Sequence, residues 1–409
     1  MSTKSILVLG GADLNVAWGR CQSLISALAR HHRIFYVENP VKLSQLLTGR
    51  RRLRPARTDL SAGPHQHVRP IEWLSAFGRP ELEKVQDWLI VRRVNAALGA
   101  AGFVPDVIWC YGLRSERLLP YFHAPLRVYD CADDQMSPPR KISPREREEI
   151  RLREERLLRG VDIAIAVSER LLAHVSRVAE RSVLIPNGVD HERFARALSL
   201  GDGLPEDLRA IPAPRIGFIG YIQEWVDQEL LVECARRLRQ VSFVVVGPAN
   251  VDVRRLVAEQ NIYLIGYRPY SDLYRYLAGF DVALVPYLQS DRIDRCDSVK
   301  IYQYLAAGCP VVSTRFPSAS RLGEAIMIAD DRSDFVDKIE AALERVASHS
   351  REEISRRAAD ESWEARAEAV EKVVFQDERA TDKVPSGSVG GGRGSDFQNE
   401  HDVLKARPC

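Results

Sequence analysis

No stretch of the 409-residue sequence approaches the ~18–20 uninterrupted apolar residues that a membrane-spanning helix needs. The first apolar run, Ile6-Leu7-Val8-Leu9-Gly10, is too short for a secretory leader and reads as a strand. Charge of one sign is missing as well. The 58 basic and 56 acidic residues leave a formal net charge of +2, which gives no global pull towards nucleic acid. The seven cysteines (Cys21, Cys110, Cys131, Cys234, Cys296, Cys309 and Cys409) are scattered, odd in number and without a Cys-x-x-Cys pair. That excludes a disulfide framework and a zinc site, and suits reduced thiols in a cytoplasmic protein. His65 and His67 have no further metal-ligand spacing beside them and read as chance, so no metal is expected. The G-x-G-x-x-G fingerprint is absent, which argues against a nicotinamide dehydrogenase, and no repeat of solenoid length occurs.

What is present is a strand–helix rhythm that runs twice. Hydrophobic residues make up 45% and charged residues 28%, and the length suits two α/β domains. In the first half, strands are expected at 5–10, 32–38, 105–111, 126–131, 161–168 and 182–190. Helices are expected at about 18–31, 81–101, 143–160 and from Glu169. Residues 197–214 carry Gly201, Gly203, Pro205, Pro212 and Pro214 and read as a linker. The rhythm restarts with strands at 215–220, 242–247, 261–266, 281–287 and 309–314, and helices at about 226–239, 251–259, 270–279 and after Ser298. The expected organisation is an N-terminal domain (1–196), the linker (197–214), a second domain (215–350), a C-terminal helix (351–375) and a disordered tail (376–409) rich in Ser and Gly. The fold class is α/β, with two Rossmann-like, doubly wound parallel-sheet domains facing across a cleft.

In open parallel sheets, ligands meet the residues just past the strands, and four such places stand out. Gly10-Gly11-Ala12-Asp13, followed by Trp18-Gly19-Arg20, is either a tight structural turn or an acceptor-side loop offering Gly11, Asp13 and Arg20. Gly220-Tyr221 ends the second domain's first strand, and the helix expected from about Val226 would aim its positive end at a diphosphate; a plain strand–turn–helix junction is the alternative. On the helix from Ser298 to Gly308, Ser298 is an N-cap candidate and Gly308 a stop, while Ile301, Tyr304 and Leu305 pack inward. Lys300 suits phosphate and Gln303 a pair of ribose hydroxyls, unless this face is merely solvated. Finally, Asp130, Asp133 and Asp134 crowd three carboxylates after a strand, for acceptor contact or for helix capping. Separately, Arg50, Arg51, Arg52, Arg54 and Arg57, preceded by Leu43, Leu46 and Leu47, are a candidate contact for an anionic membrane or a solvated loop.

These motifs in this order resemble GT-B glycosyltransferases, in particular the large retaining group numbered family four. The resemblance rests on SVKIYQYLAAGCPVVST (298–314), LIPNGVDHERF (184–194), EERLLRGVDIAIAVSERL (154–171) and NIYLIGYRPYSDLYRYLAGFDVALVPY (261–287). YDCADD (129–134) and IGFIGYIQEWVD (216–227) are similar to a bacterial subgroup that includes teichuronic-acid-type and other exopolysaccharide transferases. Together the motifs span roughly residues 4–372. The resemblance implies that the backbone at Gly266 and Tyr267 holds the base, that Gln303 faces the ribose, and that Lys300 with groups after Gly220 holds the diphosphate. Three positions depart from the family: Gln303 and Arg295 stand where glutamates are usual, and Tyr111-Gly112 where a histidine is. Arg295 and Arg292 are then candidates for phosphate. The implied activity is transfer of a sugar from a nucleotide-sugar donor to a saccharide or lipid-linked acceptor, with retention, without cofactor or metal, in a cytoplasmic or peripheral membrane protein. Its rivals are a nucleotide-sugar epimerase on the same scaffold and a non-catalytic nucleotide-sugar-binding protein.

Overall fold

Strands that read as apolar on both faces need cover on both faces, and each half of the chain supplies it. The computed structural model describes residues 2–11, 19–39, 41–42, 66–68, 71–72, 80–137, 142–346 and 350–376. The N-lobe sheet contains β1 (Ser5–Gly11), β2 (Arg33–Glu38), β4 (Gln66–Val68), β6 (Val107–Tyr111), β7 (Leu126–Cys131), β8 (Ile163–Ala166) and β9 (Ser182–Leu184), in the order β4-β2-β1-β6-β7-β8-β9. A separate pair joins β3 (Val41–Lys42) to β5 (Ile71–Glu72). The C-lobe sheet contains β10 (Arg215–Ile219), β11 (Ser242–Val246), β12 (Ile262–Gly266), β13 (Val282–Val285), β14 (Val311–Thr314) and β15 (Met327–Ala329), in the order β12-β11-β10-β13-β14-β15. All of these ladders are parallel.

The alternation along β1 shows how the sheet is wound. Ile6 and Val8 pack with Ile34, Tyr36 and the Leu24 and Leu28 side chains of the Arg20–Leu28 helix, while Leu7 and Leu9 pack with Phe35, Val94 and Leu157 on the other face. Each such buried side chain is worth ~1.5–3 kcal/mol. Strand order reverses on either side of β1 and of β10, so each sheet opens a crevice beyond its strand ends at β1/β6 and β10/β13. The two lobes have the GT-B architecture.

Two expectations about connections are corrected. The stretch 197–214 is not a free tether: Ala197, Leu208 and Ile211 are buried in the C-lobe core, and a short helix, Glu206–Arg209, forms there. Apolar residues between the glycines and prolines outweigh the turn-forming composition. The segment 351–375 is not one helix. It breaks into Arg351–Arg356, a turn at Ala359–Glu361 and Trp363–Val370, because Ser362 is extended and caps the Ala365 N–H. Its last part returns to the N-lobe, where Trp363, Ala367, Val370 and Val374 join the Arg20–Leu28 side of the core. β15 and the Arg332–Val346 helix complete the C-lobe beyond the last strand read from sequence. The expectations placed on Asp13, on His65, on Arg50–Arg57 with Leu43, Leu46 and Leu47, and on the tail after residue 376 lie outside the described residues. No helix among the described residues is long and apolar enough to cross a membrane.

Candidate active site

Two adjoining hollows of about 300 and 420 Å³ lie between the lobes and share Gly19, Val299 and Lys300. The first opens past the ends of β10, β11 and β12 and is lined by Gly220, Tyr221, Gly247, Tyr267, Tyr270 and Gln303. The second is bounded by Arg20, Asp133 and Asp134 from the N-lobe and by Arg292, Arg295 and Ser298 from the C-lobe.

Lys300 stands at the junction. It projects from the first turn of the Val299–Ala306 helix, with its ammonium 5.9 Å from the ring centres of both Phe218 and Tyr287. Gly220 makes room for it: a Cβ there would collide with the Lys300 stem, and the backbone has φ +145. Burial pulls the Lys300 pKa down, but the facing Tyr287 hydroxyl and the Cys296 sulfur outweigh it and leave the pKa raised. No carboxylate among the described residues pairs with it at ion-pair distance. Ser298 occupies the N-cap position, yet its side chain makes no capping bond; its hydroxyl lies 3.4 Å from that of Tyr287. Ile301 N–H donates to the Ser298 carbonyl at 3.1 Å, which leaves the Val299 and Lys300 amides of the first turn to meet an anion.

The Gln228–Arg237 helix, expected to serve a diphosphate, does not. Asp227 caps it by accepting from the Leu230 N–H and is paired with Arg332 at 2.9 Å, so a carboxylate already occupies that positive end. Gln303 is buried against the Tyr270 hydroxyl, and burial raises the Tyr270 pKa. Gly266, at φ +79, ends β12 and turns the chain so that the exposed Tyr267 lines the first hollow.

On the N-lobe side the three aspartates separate. Asp130 is buried, with both carboxylate oxygens held by the Arg20 Nε at 2.9 and 3.0 Å. It is an anchor for Arg20 rather than a group facing an acceptor. Asp134 is buried and pairs across the cleft with Arg295 at 3.1 Å. Asp133 alone is exposed to the second hollow. Enclosure between the lobes raises its pKa, Arg292 opposes that rise and Asp134 adds to it. Gly11 is buried against the Tyr36 ring, where a Cβ would clash, so its glycine is a packing requirement rather than an acceptor contact. Arg292 stacks on Trp225 with its guanidinium carbon 4.4 Å from the ring centre and donates to the Ser137 carbonyl. Tyr287, Trp225 and Tyr270 were not singled out from the sequence. Tyr287 follows β13 directly, so the rule that ligands meet residues past strand ends reaches it. Among the described residues, no group of three His, Cys, Asp or Glu side chains could hold a metal ion.

Residues 213–345 match the family model of glycosyl transferases group 1. The matched stretch covers the C-lobe sheet from β10 to β15. Gly220, Lys300 and Gln303 all lie within it. Over 242 residues the chain is 26% identical to the putative teichuronic acid biosynthesis glycosyltransferase TuaH of Bacillus subtilis. That match spans 55% of this chain and 59% of the curated relative's length. Among solved structures, a sucrose-phosphate synthase from Thermosynechococcus elongatus superposes with a TM-score of 0.63 at 17% identity, covering 91% of this chain and 98% of that one. HepE from Anabaena, in complex with UDP and glucose, gives 0.61 at 15% identity over 91% of this chain and 100% of its own. An E. coli structure, trehalose-6-phosphate bound with UDP-2-fluoro glucose, gives 0.59 at 13% identity over 93% of this chain and 100% of its own. At these identities the likeness establishes the fold.

Proposed function

We propose that the protein transfers a sugar from a nucleotide-sugar donor to an acceptor hydroxyl, in the assembly of a bacterial cell-surface polysaccharide or glycolipid. The observation that carries this reading is Lys300, an ammonium at the junction of the two hollows, beside an uncapped helix N-terminus. In this reading the nucleoside occupies the first hollow, between Tyr267, Tyr221 and Gln303. The diphosphate lies over Gly220 against Lys300 and the first-turn amides, and the sugar enters the second hollow. Neighbours of this fold carry UDP, a fluorinated UDP-sugar or ADP, which supports a nucleotide-activated donor. The relative from Bacillus subtilis favours a cell-wall polysaccharide as product.

Catalysis then rests on holding the sugar near the acceptor and on stabilising the departing diphosphate with preorganised positive charge. Lys300 and the helix amides supply that charge without a protein-held metal. Asp133 is the carboxylate placed to contact or deprotonate the acceptor. Retention of anomeric configuration follows the family likeness. Enclosure between lobes excludes water and so limits hydrolysis of the donor. Peripheral contact with an anionic membrane through Arg50–Arg57 would bring a lipid-linked acceptor to the second hollow.

A thermal-shift panel of UDP, GDP, TDP and their sugars tests the reading. One base should stabilise the wild type by several degrees, since a ligand at a hundred times its Kd contributes about 2.7 kcal/mol. Lys300→Ala should abolish that shift. No response of the wild type to any nucleoside diphosphate would sink the proposal. Product analysis with acceptors then separates a transferase from an epimerase, which needs no acceptor, and from a binder, which turns nothing over.

A further inference from the structure

Asn187 sits where the chain crosses from the N-lobe into the C-lobe, and each polar group it carries is engaged. Its backbone N–H donates to Asp297 Oδ2 at 2.6 Å and its Nδ2 donates to the Asp297 carbonyl at 2.7 Å. Its Oδ1 accepts from Arg20 Nη1 at 3.4 Å, and its carbonyl accepts from Arg366 Nε at 3.0 Å. The partners belong to three different bodies. Asp297 precedes the helix that carries Lys300, Arg20 opens the first N-lobe helix and holds Asp130, and Arg366 lies on the returning C-terminal segment. Asn187 and Asp297 are both buried, so water offers neither group an alternative partner. The C-terminal segment makes a second crossing alongside: Val189 N–H donates to the Glu361 carbonyl at 2.9 Å, and Trp363 N–H to the Val189 carbonyl at 3.0 Å.

We propose that Asn187 and Asp297 form a latch at this crossing that holds the two walls of the cleft in register, and that both are positioning residues for whatever the cleft binds. Asp297 lies three residues before Lys300, and Arg20 anchors the end of the strand after which Asp133 follows. A shift at Asn187 therefore moves both sides of the second hollow relative to each other.

The test uses the ligand-free full chain, so its outcome is independent of the nucleotide reading. Cys21 and Cys296 face the second hollow from opposite lobes and are half-buried, whereas Cys110, Cys234 and Cys309 are buried in the lobe cores. The chain is labelled with iodoacetamide and each thiol is followed by peptide mass mapping. Asn187→Ala removes both side-chain bonds, and Asp297→Asn sets an amide against the Asn187 N–H. Each should raise labelling at Cys21 and Cys296 about tenfold, as expected when a charge-assisted bond holding one of two states is lost, with the buried thiols unchanged. Tyr302→Phe removes another bond to the same carboxylate, 2.9 Å long, and the Arg321 bond to the same hydroxyl, while leaving every Asn187 bond in place. It should leave labelling at Cys21 and Cys296 as in the wild type. Wild-type labelling in Asn187→Ala and Asp297→Asn, an equal rise in Tyr302→Phe, or a parallel rise at the buried thiols would each overturn the latch.

Discussion

A lysine ammonium that lies 5.9 Å from two aromatic ring centres, with no carboxylate among the described residues paired to it, is placed for an anion from outside. Charge-assisted hydrogen bonds contribute ~1.5–3 kcal/mol each. Lys300→Ala should therefore weaken nucleoside diphosphate binding about tenfold to hundredfold, read by calorimetry, with little change in melting temperature without ligand. Gly220→Ala should reproduce much of that loss without removing the charge, because the added methyl would displace the Lys300 stem. Equal affinity in Gly220→Ala and wild type would mean that Lys300 does not act from its observed place. The shared helix face of Lys300 and Gln303 was legible because they follow one another at helical spacing. Pairing was not legible. Nothing in the order of residues tells that Asp130 meets Arg20 across 110 positions, or that Asp134 meets Arg295 across 161. Three neighbouring aspartates looked alike in sequence and differ because tertiary partners reach two of them.

The Val299–Ala306 helix shows what local chemistry does settle. Its end is a paired backbone motif: Gly308 N–H donates to the Leu305 carbonyl at 2.8 Å and Cys309 N–H to the Tyr304 carbonyl at 2.9 Å. Gly308 takes φ +73, and a Cβ there would lie 2.5 Å from the Arg351 carbonyl oxygen. The left-handed conformation alone costs a non-glycine residue ~1–2 kcal/mol. Gly308→Ala should thus lower stability by about 2 kcal/mol or more once the clash is added. Urea denaturation measures it, and an unchanged midpoint would contradict the geometry. Glycine past an apolar periodic stretch announced this stop in the sequence. The start was only half legible: Ser298 stands at the N-cap, but which hydroxyl or carboxylate caps a helix depends on what else it can reach. Ser298 faces Tyr287 while Asp227 closes its own helix, and that difference decides which positive end faces the cleft. The break at Ser362 carries a local sign as well, a capping residue ahead of Trp363-Glu364-Ala365.

At the scale of the whole molecule, the strand–helix rhythm conveyed two parallel sheets but not how the lobes are tied. The tie is long-range: the chain crosses at Asn187, and its last helices come back across the lobe boundary to cover the N-lobe core. One clasp on that return carries a titratable group. His32 is buried under Phe375, accepts the Lys4 N–H on Nδ1 at 3.2 Å and faces Glu371 at 3.2 Å, with His31 on the same carboxylate at 2.9 Å. Burial lowers the His32 pKa below 6.5, Glu371 opposes this, and His31 and Lys4 add to it. Protonation of Nδ1 would also cost the Lys4 bond. The unfolded chain then takes up this proton at a higher pH than the folded chain, so the contribution is complete above 6.5 and falls as pH drops below it. The limiting slope for one proton is about 1.4 kcal/mol per pH unit. Thermal melts between pH 8 and pH 5 should show stability falling on the acid side, and His32→Gln, which cannot titrate, should flatten that fall. Hydrogen exchange should place the loss first in residues 363–375, since this clasp holds the returning segment to the N-lobe. If His32→Gln keeps the full acid slope, the proton is taken up elsewhere and the clasp does not govern how the lobes stay joined.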